Sequence, residues 1–102
     1  MNKVIKDGHV AVLYSPGYGA GWYTWNLDYP EIIFDPGAVD LVERGRMEEL
    51  LAYATLKWPQ IYLGGLEQLK VKWIKEGTAF RIEEYDGSES LQSQKDIDWF
   101  IA

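Results

Sequence analysis

Leu69-Lys-Val-Lys-Trp-Ile-Lys-Glu-Gly-Thr-Ala-Phe-Arg-Ile-Glu-Glu-Tyr85 decides the fold class. Leu69, Val71 and Trp73 alternate with Lys70 and Lys72, and Phe80, Ile82 and Glu84 alternate with Arg81, Glu83 and Tyr85. A period of two places alternate side chains on opposite faces, which predicts two half-buried strands. Lys75-Glu-Gly-Thr78 between them predicts a turn, so the pair is expected to be an antiparallel hairpin.

Downstream, Asp86-Gly-Ser-Glu-Ser90 reads as a polar loop whose side chains bond to its own backbone. Ile97, Trp99 and Ile101 alternate with Asp98 and Phe100 and predict a last strand. Upstream, Tyr62-Leu-Gly-Gly-Leu66 is a glycine turn that could help wall a pocket, or simply connect helix to strand. Before it, Met47, Leu50, Leu51, Ala54 and Trp58 follow a helical period, and Pro59 stops it. Asp35-Pro36 starts an earlier helix, with Asp as N-cap and Pro at the first position, and Gly45 ends or kinks it. Ile32-Ile-Phe34 reads as a short strand.

At the start, Val4–Lys6 and His9–Tyr14 flank Asp7-Gly8. Glycine accepts the positive φ of a type I′ turn, so this is a hairpin signal. His9-Val-Ala-Val-Leu-Tyr14 is almost continuously apolar and reads as a central strand. The fold expected is one α+β domain over residues 1–102: a mainly antiparallel sheet of about five to six strands with one broken helix packed on one face.

Composition narrows the chemistry. The 102 residues include no Cys and a single His, His9. That excludes disulfides, thiolate catalysis and Cys- or His-cluster metal sites, so no metal or cofactor is expected. No apolar run approaches the roughly 18–20 residues of a membrane span, and no signal-peptide core stands at the start. A cytoplasmic protein without membrane partners is expected. Net charge is −6, and Glu83, Glu84, Asp86, Glu89, Asp96 and Asp98 stand against Lys95 alone after residue 82. No cationic stripe could track phosphates, so duplex nucleic acid is not an expected partner.

Five Trp, seven Tyr and three Phe are more than so short a chain encloses easily, which points to aromatics at a ligand site or a homo-oligomer contact. The unusual segment is Ser15-Pro-Gly-Tyr-Gly-Ala-Gly-Trp-Tyr-Thr-Trp-Asn26. Its small residues expose consecutive backbone N–H groups that can cup an anion, and its aromatics offer stacking faces. The spacing is neither a dinucleotide fingerprint nor a P-loop. The alternative is a tight connection whose aromatics cap the core.

Candidate ligand contacts are therefore Tyr18, Gly19, Gly21, Trp22 and Trp25, with Arg81, whose guanidinium can hold phosphate or carboxylate in a bidentate manner. Arg81 could equally pair with a neighbouring Glu. Glu83 and Glu84 point to opposite faces of a strand and cannot act on one bond. Nothing in the spacing joins His9 to a Ser or Thr as a nucleophile pair, so no catalytic residue and no enzyme activity are expected.

Val10–Trp25, Phe34-Asp-Pro36 with the following acidic helix, Tyr62–Gly65 and Phe80–Ser90 together resemble a small protein family of bacteriophages and prophages. The resemblance covers most of the chain and attaches no activity to any residue. It implies a setting in the host cytoplasm, where small, acidic, Cys-free phage proteins counter bacterial immunity. Two expectations follow. The first is a non-catalytic sponge that sequesters a nucleotide-derived immune signal, a cyclic oligonucleotide or ADP-ribose derivative, in a homo-oligomer pocket. The alternative is an acidic protein–protein inhibitor of a defence nuclease, similar in action to anti-CRISPR proteins.

Overall fold

A computed structural model describes residues 1–17, 21–93 and 100–102. The chain is α+β and antiparallel, as expected, but its strands form two sheets instead of one. In the first sheet β1 (Ile5–Lys6), β2 (His9–Tyr14) and β3 (Lys70–Lys75) lie in the order β1-β2-β3. In the second, β4 (Ala79–Tyr85), β5 (Ser88–Ser93) and β6 (Phe100–Ile101) lie in the order β5-β4-β6.

The hairpin expected over Leu69–Tyr85 does not form. β3 pairs with β2, from His9 opposite Lys75 to Tyr14 opposite Lys70, while β4 pairs with β5 and β6. The connection between β3 and β4 is tied elsewhere. Glu76 N–H donates to Gly8 O at 2.8 Å, and Gly77 N–H donates to Ala102 O at 2.7 Å. The turn thus carries the chain round a corner from one sheet to the other.

The true hairpins turn on the two Asp-Gly pairs. Asp7 and Gly8 have φ of 51° and 73°, and Asp86 and Gly87 have φ of 51° and 82°. Both dipeptides place two successive residues at positive φ, the requirement of a type I′ turn that matches strand twist. The expected loop at Asp86–Ser90 is therefore a hairpin turn leading into a strand.

β2 is the central strand that its composition suggests. Val10, Ala11, Val12 and Leu13 are all fully buried, which for alternating side chains means cover on both faces. Helix α1 (Pro36–Glu43) packs on β2 and β3, and α2 (Met47–Lys57) packs on α1. Gly45, at φ 68°, breaks the helical segment in two. The segment containing Ile32-Ile-Phe34 is a correction. Pro30–Ile33 is a 3₁₀ turn, because Pro30 fixes φ at its first position and the Phe34 and Asp35 N–H groups bond back to Glu31 O at 3.1 Å. Most of the last predicted strand lies outside the described residues; Phe100 and Ile101 pair with Phe80 and Ala79.

Asp35 caps α1 as expected. Its Oδ2 accepts Ala38 N–H at 3.0 Å and Tyr53 O–H at 2.6 Å, and its Oδ1 accepts Lys57 Nζ at 2.7 Å. Burial pushes the Asp35 carboxyl up, but bonds from Lys57, Tyr53 and Ala38 outweigh it and leave it below its ordinary range. The same contact with Asp35 raises Lys57, and burial together with Asp35 raises Tyr53. A depressed carboxyl contributes stability that is present above its unfolded value, about 3.9, and is lost as pH falls through the lower folded value. Urea unfolding should show Asp35→Asn less stable than wild type by about 1 kcal/mol at neutral pH. That gap should narrow as pH is lowered below about 3.9. An unchanged gap across that range would assign the loss to the cap's shape and not to its charge.

Candidate functional site

The glycine- and aromatic-rich segment does bind a carboxylate, and the carboxylate is the chain's own. Glu89 in β5 is only 2% exposed. Its Oε1 accepts Ser15 N–H at 2.8 Å. Its Oε2 accepts Trp22 N–H and Thr24 N–H, each at 2.8 Å, and Thr24 Oγ1–H at 2.7 Å. Among the described residues, these neutral donors hold the carboxylate with no cation beside it. The strand register explains how Glu89 gets there: Glu84 and Glu89 sit opposite each other on β4 and β5, so both point to the face on which the segment packs.

The backbone closes the same junction. Glu89 N–H donates to Ser15 O at 2.8 Å, and Ser88 Oγ–H donates to Pro16 O at 2.6 Å. Ser15 is fully buried and its Oγ–H donates to Gly65 O at 2.9 Å. The end of β2 is thereby stitched to β5 and to the Tyr62–Leu66 turn. Glycine is required at that turn: a Cβ on Gly65 would sit 2.5 Å from Gly21 O and 2.9 Å from Ser15 Oγ. Asn26 adds a third tie, accepting Tyr62 N–H at 2.7 Å and donating Nδ2–H to Trp22 O at 2.7 Å and Tyr62 O at 3.0 Å.

The predicted contacts separate into different places. Tyr18 and Gly19 lie outside the described residues. Gly21 is buried, and a Cβ there would overlap Thr24 Oγ1 and the Trp25 ring, so its role is to let Trp25 fold back over the backbone. Trp22 is fully buried, donates its Nε1–H to Ile32 O at 3.0 Å and meets Trp58 edge to face at 6.4 Å. It is a core side chain and presents no ring face to solvent. Trp25 is different. It is 45% exposed, stacks on Tyr62 with ring centres 4.9 Å apart, and donates Nε1–H to Glu84 Oε2 at 2.8 Å.

Arg81 does not join Trp25. It precedes Glu84 by three residues on β4 and so lies on the opposite face of the sheet, where its Nε is 3.9 Å from Glu83 Oε1. That contact runs along the strand. Glu89, Thr24, Asn26 and Tyr62 are not among the contacts that the sequence suggests. Glu89 stands in a run whose polar residues signal a loop, and no spacing links it to a segment more than sixty residues away.

His9 begins β2 and Ser15 follows its last residue, roughly 20 Å away at strand rise. The Ser15 hydroxyl is spent on Gly65 O. No group of three or more His, Cys, Asp or Glu among the described residues could hold a metal ion. None of the described helices is long and apolar enough to cross a membrane. What reaches solvent is the Trp25–Tyr62 stack, with exposed Leu27 close by in sequence and Glu83, Glu84, Tyr85 and Asp86 along the β4–β5 hairpin. Comparison with family models, with curated proteins and with solved structures returned no match.

Proposed function

We propose that this chain is a non-catalytic protein-binding module that blocks a basic partner by contact through the Trp25–Tyr62 stack and the acidic β4–β5 hairpin. The observation that carries the reading is the fixed, half-exposed Trp25. Its ring is held on one side by Tyr62 and at its N–H by an exposed Glu84, so little side-chain freedom remains to be lost on binding. Tryptophan and tyrosine are the residue types that dominate binding energy at protein contacts. Carboxylates around them speed encounter with a positively charged surface and make the complex salt-sensitive. The resemblance to phage proteins supplies the class of partner, a nucleic-acid-handling defence effector whose basic channel the acidic face would fill.

Sequestering a nucleotide-derived signal has less support. The described N–H donors of Ser15, Trp22 and Thr24 are already on Glu89, and Arg81 and Trp25 are on opposite faces of a sheet. Affinity capture from bacterial lysate at low and high salt tests the proposal. Wild-type protein should retain a basic partner at low salt and lose it at high salt. Trp25→Ala should weaken retention about 30-fold, the size of a contact hot spot. Capture that is indifferent to Trp25, or nucleotide released from the purified protein in its native mass spectrum, would overturn the reading.

A further inference from the structure

A cleft of about 250 Å³ lies between α2 and the Leu63–Glu67 segment. Met47, Leu51, Leu63 and Leu66 supply its apolar walls, and among the described residues Glu48 and Glu67 are its charged lining. Among the described residues neither carboxylate forms an ion pair, whereas the neighbouring Glu49 is paired with Arg46. Leu51 remains 48% exposed in the cleft wall. The volume falls below the roughly 300 Å³ at which clefts begin to hold whole small ligands, so it suits one side chain.

The cleft is continuous with the aromatic stack. Gly64 lines it, and a Cβ on Gly64 would overlap the ring of Tyr62, so that ring lies directly over the glycine. The same ring stacks on Trp25. One side chain therefore stands between Trp25 and the cleft, with Glu84 at one end of the surface and Glu48 and Glu67 at the other.

We infer that the cleft is the anchor socket of the contact face, taking one aliphatic side chain from a partner segment in which Lys or Arg flanks that residue. The inference rests on the protein-binding reading above and adds the sequence chemistry of the partner. An apolar anchor in a small pocket ringed by charge is how contact surfaces concentrate binding energy, and two unpaired carboxylates at the rim select cations and repel acidic segments.

The test is a methyl and amide NMR titration of the full chain with two capped tripeptides, acetyl-Lys-Leu-Lys-amide and acetyl-Glu-Leu-Glu-amide. The basic peptide should shift the Met47 and Leu63 methyl signals, and the acidic one at equal concentration should leave them in place. Glu48→Gln with Glu67→Gln, both at exposed positions, should weaken the basic peptide about fivefold. Pocket methyls unmoved by the basic peptide, or moved equally by both peptides, would overturn the socket. The two readings fail separately. Unmoved methyls alongside Trp25-dependent capture sink the socket alone; shifted methyls alongside Trp25-independent capture sink the contact face and leave a basic-peptide pocket.

Discussion

Glu89→Ala should lower the thermal midpoint by roughly 15 °C or more, the largest loss expected from any single exposed-looking position in the sequence. Truncation removes the acceptor for three backbone N–H groups and the Thr24 hydroxyl. A buried donor left without a partner costs about 1–3 kcal/mol. Partial relaxation toward water brings the total to about 4 kcal/mol, against a whole stability of about 5–15 kcal/mol for a domain of this size. Glu89→Gln isolates the charge and the acceptor geometry from the loss of side chain. Its amide must direct an N–H toward either Ser15 N–H or the Trp22 and Thr24 donors, since both carboxylate oxygens accept. A loss of about 1–3 kcal/mol is expected, smaller than for alanine. Urea unfolding of the three proteins, followed by tryptophan fluorescence, decides the matter. A glutamine variant as stable as wild type would mean that Glu89 is not needed as a double acceptor.

This contact also shows where sequence reasoning stops. Ser15–Asn26 does offer backbone donors, but those that hold an anion are Ser15, Trp22 and Thr24 and not the glycines that the pattern points to. What pattern could not show is that the anion is internal. Glu89 belongs to Ser-Glu-Ser-Leu-Gln-Ser, a strand without a clear apolar alternation, because one of its inward positions is filled by a carboxylate where an aliphatic residue would have signalled burial. Its hairpin turn, Asp86-Gly87, has the same chemistry as Asp7-Gly8, yet only the pair flanked by apolar runs was legible as a hairpin. The failure at Leu69–Tyr85 has the converse cause. Alternation identified β3 and β4 as strands, but alternation specifies a face and not a partner. The partner was decided by distant backbone, Gly8 O and Ala102 O, acting on the connecting turn. The two α-helices were legible because their signals are local: Asp35 and Pro36 at one start, Gly45 at the break, Pro59 past the end.

Trp22→Ala should cost about 3–5 kcal/mol, and Trp22→Phe a smaller but still measurable amount. Trp22 was a candidate for stacking on a ligand, and the two roles predict opposite behaviour. A ligand-facing tryptophan is replaced at little cost to the fold. A core tryptophan, fully buried against Trp58 and bonded to Ile32 O, leaves a cavity when removed and an unpaired carbonyl even when phenylalanine fills most of the space. Trp25→Ala provides the internal contrast, because its ring is nearly half exposed and the removal should shift stability by no more than about 1 kcal/mol. The pair of variants thus separates the segment into two functions that its sequence runs together, three residues apart. Trp22 closes the core beneath the Glu89 junction, and Trp25 carries the surface. Trp22→Ala unfolding at the wild-type midpoint, or Trp25→Ala matching it in lost stability, would remove that division and with it the argument that binding and folding are borne by different aromatic side chains.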